Sequence, residues 1–77
     1  MITLSEAVSL RIRELLKANK MTQYKLFMRS GVPQTTISAL VRNLHERPYI
    51  TVIYDVAQGF NMTLSEFFNS DLFKDIK

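Results

Sequence analysis

The chain has no cysteine and no tryptophan, and only two glycines, two prolines and one histidine in 77 residues. Without cysteine there is no disulfide and no thiolate metal site, a composition compatible with a reducing cytoplasm. His45 has no second histidine and no matched carboxylate pair to work with. It is therefore expected to meet solvent or a phosphate rather than to bind metal or act as a catalytic base. Glycine is too sparse for a phosphate-cradling loop, and no nucleophile stands with a base, so an enzyme is not expected, nor any cofactor or metal. The N-terminal stretch MITLSEAVSLRIREL carries Glu6, Arg11 and Arg13 and contains no apolar run of signal-peptide or membrane-spanning length. A soluble cytoplasmic protein is the expectation. The length of 77 residues suits one domain, 1–77, with one core and little room for an enclosed small-molecule pocket.

Strand-like alternation is also missing, and what is present is helical punctuation. Thr3-Leu4-Ser5-Glu6 and Thr63-Leu64-Ser65-Glu66 both match the capping-box pattern, in which the Thr oxygen and the Glu carboxylate satisfy each other's free backbone amides. Leu4, Val8, Ile12, Leu15 and Leu16 repeat at helical spacing, so the first helix is expected over Leu4 to Ala18, ending at Asn19-Lys20. Pro48 forces Arg47 out of helical geometry in a loop from Asn43 to Tyr49. Thr51 is then expected to cap a fourth helix, whose buried stripe is Val52, Ile53, Val56, Ala57 and Phe60. Gly59 weakens its last turn and Asn61 ends it in the left-handed conformation. Leu64, Phe67 and Phe68 make a short fifth helix, and residues 70–77 form a tail whose Leu72, Phe73 and Ile76 either pack on this core or meet a partner. The fold class that follows is all-α, a compact bundle of five helices.

Between them lies TQYKLFMRSGVPQTTISALVR, residues 22–42, which reads as helix, tight turn and helix. Thr22 is a good N-cap, Gly31 suits a left-handed helix end, and Pro33 suits the first turn of the next helix. On a wheel of about 100° per residue, Pro33, Ile37, Leu40, Val41 and Leu44 gather on one side, expected to be core. Thr35, Ala39 and Arg42 point away, flanked by Gln34 and Ser38. That outer face is small, polar and uncharged until Arg42, whereas solvent faces of helices usually carry Lys and Glu. Acid is scarce around it: residues 11–47 hold eight basic residues against Glu14 and Glu46, a net of +6, while the chain from Pro48 onward carries −2. Such a segment attracts polyanions.

These residues resemble the helix-turn-helix domains of the lambdoid-phage repressor and Cro type, the XRE regulators. Gln23 opens the first motif helix, Leu26 is its buried position, Gly31-Val32 makes the turn, and Ile37 and Leu40 seat the second helix. Arg47-Pro48 and the helix after it also fall in register, and the likeness runs from about Leu10 to Phe68. It departs at Phe27, where the family usually has Ala, which puts the packing of the two motif helices in question. Asn43 replaces a usual Gly, a change Asn tolerates in the left-handed region.

The resemblance implies a sequence-specific double-stranded DNA-binding transcriptional regulator, repressor-like, that inserts its third helix into the major groove. Gln34 can pair two-fold with adenine, Thr35 and Ser38 can bond a base edge or touch a methyl, and Ala39 can touch thymine. Thr22, Gln23, Thr36, Arg42 and Arg47 are expected on phosphates. One recognition helix reads few base pairs, so a homodimer on an inverted-repeat operator is expected, built from the fifth helix and tail through Phe67, Leu72, Phe73 or Ile76. The initiating Met and terminal Lys77 fit a complete small regulator. The competing reading on the same fold is a protein-protein interaction module, such as an antitoxin or adaptor, with Phe27 and the apolar tail as its signs.

Overall fold

Among the described residues, three helices start at a threonine whose side chain accepts from a first-turn amide, and four of the five stop where one residue turns left-handed. The computed structural model describes residues 2–44 and 47–76. Among them are five α-helices: α1 Leu4–Ala18, α2 Gln23–Ser30, α3 Gln34–Val41, α4 Ile50–Gly59 and α5 Leu64–Phe68, followed by a 3-10 turn at Asp71–Phe73. Both capping boxes form, with Thr3 and Thr63 accepting from the amides of Glu6 and Glu66 and the carboxylates returning the bond. The left-handed stops are Lys20 (φ 52°), Gly31 (φ 76°), Asn43 (φ 54°) and Asn61 (φ 60°). At three of them two hydrogen bonds fold the chain back over the last turn: Met21 to Leu16 and Lys20 to Lys17, Leu44 to Ala39 and Asn43 to Leu40, Met62 to Ala57 and Asn61 to Gln58. The last carbonyls of α1, α3 and α4 are thereby satisfied.

The core is a contiguous cluster to which every helix contributes: Val8, Ile12, Leu15 and Leu16 from α1, Leu26 from α2, Ile37 and Leu40 from α3. Ile53, Val56 and Ala57 come from α4, and Phe67 from α5. The radius of gyration, 11.3 Å, matches the value of about 11.5 Å expected for a compact chain of this length. Gly59 permits the closest helix approach. A Cβ there would lie 2.8 Å from Leu26 Cδ1 and 2.9 Å from Ser30 Cβ, so α4 crosses α2 nearly backbone to backbone. Phe27, the residue whose bulk put the motif packing in question, lies half-buried against the core edge with its ring 6.0 Å from that of Tyr24.

Four residues depart from their expected core and cap places. Leu4, Pro33 and Leu44 are exposed rather than core: periodicity gives Leu4 a side of α1 but no neighbour to cover it, while Pro33 and Leu44 lie beyond the ends of α3 and so outside its period. Pro33 is the N-cap of α3, just ahead of the first turn. The fourth helix begins before Thr51: the Tyr49 carbonyl already accepts from the amides of Val52 and Ile53, which makes Tyr49 the N-cap and leaves Thr51 inside the first turn.

The tail packs on its own chain. Phe67, Phe68 and Phe73 form an aromatic cluster with centroids 4.9 to 6.2 Å apart, Ser70 caps the 3-10 turn through the Leu72 amide, and Ile76 bridges to Ile2. Phe67 is fully buried and cannot furnish an intermolecular surface. Arg11 locks this end down. Its Nε donates to the Phe67 carbonyl at 2.7 Å and its Nη2 to the Glu66 carbonyl at 3.0 Å, with Glu14 on Nη1 and the Phe67 ring 6.0 Å from the guanidinium. A five-residue helix leaves its final carbonyls without partners, and a cation at that end also suits the helix dipole.

Two stability outcomes follow. Arg11→Ala removes charge-assisted bonds to two carbonyls and should cost about 1.5–3 kcal/mol in urea unfolding. Arg11→Lys should recover only part of it, since an ammonium cannot span both acceptors. Gly59→Ala should destabilise even though alanine is the better helix former by about 1 kcal/mol, because the added methyl meets Ser30 next to its backbone. A melting temperature above that of the wild type would show that α2 and α4 separate freely.

Candidate nucleic-acid interface

Helix α3 has eight residues and no charge, so its position depends on what holds it from below. Ile37 and Leu40 are 1% and 3% exposed and seat it on the core. Val32, 4% exposed, anchors the turn that leads into it. At its far end the hydroxyl of Ser9, the buried polar residue of α1, donates to the Val41 carbonyl at 2.9 Å. That bond satisfies a carbonyl near the C-terminus of α3 and ties the helix to α1 at a point where apolar packing alone would allow sliding. Thr22 accepts from the Lys25 amide at 3.0 Å, which fixes the start of α2 beside it. The amides of Gln23 and Tyr24, the first two residues after that cap, keep the positive end of α2 available to an anion.

Seated in this way, α3 turns its uncharged face outward. Gln34, Thr35, Ser38, Ala39 and Arg42 line one open concavity of about 460 Å³, which Gln23 borders from α2 and Leu44 from beyond the end of α3. Gln23, Gln34, Thr35, Arg42 and Leu44 are exposed, while Ser38 and Ala39 are half-buried in its floor. The hydroxyls that make local bonds in this region are those of Ser9, Thr22 and Ser30, which leaves Thr35 and Ser38 open to an external partner among the described residues.

All four expected base-reading residues are thus brought together, and Gln23 and Arg42 join them. Thr22, Thr36 and Arg47 lie outside the concavity: Thr22 is the exposed cap of α2, Thr36 is half-buried at the side of α3, and Arg47 is exposed in the loop before α4. His45 lies outside the described residues. Arg11, which belongs to the basic segment, is engaged by α5 and adds little to the exposed charge. Leu44 is the residue of the concavity that the helical wheel misplaced. The usable signal was Asn43: a left-handed residue there ends the helical phase, so the wheel does not extend to position 44.

A family model for the Cro/C1-type HTH DNA-binding domain matches residues 11–71. The fold is similar to that of a variant of the restriction-modification controller protein C.Esp1396I, with a TM-score of 0.82 and 27% identity, covering 96% of this chain and 92% of that one. It is similar as well to the crystal structure of prophage Lp1 protein 11, with a TM-score of 0.81 and 26% identity over 99% of this chain and 100% of the other. No relative was found among curated proteins.

Proposed function

Because the chain belongs to the Cro/C1-type helix-turn-helix family, a family of DNA-binding domains, we propose that it is a sequence-specific, repressor-like regulator that lays α3 in the major groove. The observation that carries this reading is the concavity, where amide, hydroxyl and methyl groups of one helix face outward with no acid among them. In the major groove each base pair presents a distinct set of donors, acceptors and methyls, and these are the groups that read them. Gln34 pairs with adenine N6 and N7, Thr35 and Ser38 bond base edges, and Ala39 touches a thymine methyl. Thr22, Gln23, Thr36, Arg42 and Arg47 hold phosphates and set the register. The whole chain acts as one such unit, in the cytoplasm, where bacterial and phage DNA is found.

The working form is a homodimer on an inverted repeat, its recognition helices about 34–36 Å apart, because one helix reads too few base pairs to select a site. With Phe67 buried and Leu72, Phe73 and Ile76 half-buried in their own chain, we assign the second copy to another surface. The exposed Tyr49, Ile50 and Tyr54 of α4 and the residue before it supply apolar area for one. The signs that favoured an interaction module lose weight for the same reason, since Phe27 and the tail pack on the core.

Selecting bound duplexes from a random pool at moderate salt tests the reading: an enriched inverted repeat supports it, and no enrichment overturns it. On that repeat Gln34→Ala should lose on the order of 1–3 kcal/mol, with little loss on random DNA and relaxed preference at one position. Arg42→Ala and Arg47→Ala should each weaken all sequences about equally and lower the salt slope by roughly one unit. An unchanged slope in both would remove them from the phosphate set.

A further inference from the structure

The geometry points to Leu44 as a specificity-determining residue that reads the C5-methyl of one thymine in each half-site. Helix α3 stops at Val41, Asn43 turns left-handed, and the Leu44 amide bonds the Ala39 carbonyl at 2.8 Å. That return places the side chain of Leu44 over the turn that contains Ala39, the usual apolar contact of such a helix end. The pair forms an apolar wall on the same concavity as Gln34, Thr35, Ser38 and Arg42.

Leu44 is nonetheless 62% exposed, so Ala39 covers little of it. A backbone held by hydrogen bonds presents an aliphatic group to a recess lined, Ala39 apart, by polar side chains, and orienting it on binding costs little entropy. In unmodified DNA the apolar group that a major groove offers is the thymine methyl. The inference rests on the DNA-binding reading and goes beyond it, since the outward face of α3 ends at Arg42 and contains no large apolar side chain.

The test uses the full chain and the duplex obtained by selection, with each thymine of one half-site replaced in turn by deoxyuridine, which removes the methyl and leaves the pairing intact. Wild-type protein should bind about three- to fivefold more weakly at one such position, the factor for losing contact with one methyl-sized group. Leu44→Ala and Leu44→Asn should weaken binding to the unmodified duplex by a similar factor and be indifferent to deoxyuridine at that position, while remaining sensitive to replacements elsewhere. Their melting temperatures should stay at the wild-type value because the side chain is exposed. If both variants respond to every replacement as the wild type does, Leu44 does not read the methyl. Failure to select any duplex would instead overturn the DNA-binding reading beneath it.

Discussion

The structure depends on how an uncharged eight-residue helix is held in place. Helix α3 is too short to be stable by itself in water, where isolated helices need roughly 12–15 residues. Ile37 and Leu40 bury one edge of it, Val32 anchors its approach, and the Ser9 hydroxyl holds the Val41 carbonyl. With the inner edge and the far end both fixed, the outer residues have no structural duty. That freedom is what allows them to be Gln, Thr, Ser and Ala rather than the Lys and Glu of an ordinary solvent face.

The same economy governs the ends of the helices. Five helices and a 3-10 turn fit in 77 residues because the helices stop abruptly, the first four at a single left-handed residue from which the chain bonds back to the preceding turn. These returns do more than shorten the loops. The one after α3 swings Leu44 out of the helical phase and onto the concavity, and the one after α4 leads directly into the capped start of α5. Gly59 lets α4 approach α2, and Arg11 fastens α5 to α1, so the two ends of the chain close around the helices that support the motif.

Electrostatics divides the molecule in a way that a count of charges hides. The net of +6 over residues 11–47 includes Arg11, whose guanidinium is occupied by two backbone carbonyls and Glu14. Arg42, by contrast, is exposed at the edge of the concavity. A cation serves an anionic partner only when its side chain is free of internal acceptors, and among the described residues Arg42 meets that condition where Arg11 does not, which suits it to the phosphate role proposed for it.

By itself the sequence determined the helices and most of their ends, because those depend on contacts three to five residues apart. The two capping boxes, Thr22 as a cap, and Gly31, Asn43 and Asn61 as left-handed stops are all decided within one turn of chain. So is the outward set of α3, since Gln34, Thr35, Ser38 and Ala39 follow from the helical period once Ile37 is placed inside. What the tertiary structure decided is everything that requires a partner distant in sequence. The Arg11 clamp spans 55 and 56 residues and the Ser9 bond 32, separations at which no local pattern indicates which side chain will meet which carbonyl. Phe67 becomes core, Phe73 packs against it, and Leu4 stays at the surface for one reason: periodicity tells which way a side chain points, and only the packed neighbours determine whether anything is there to cover it.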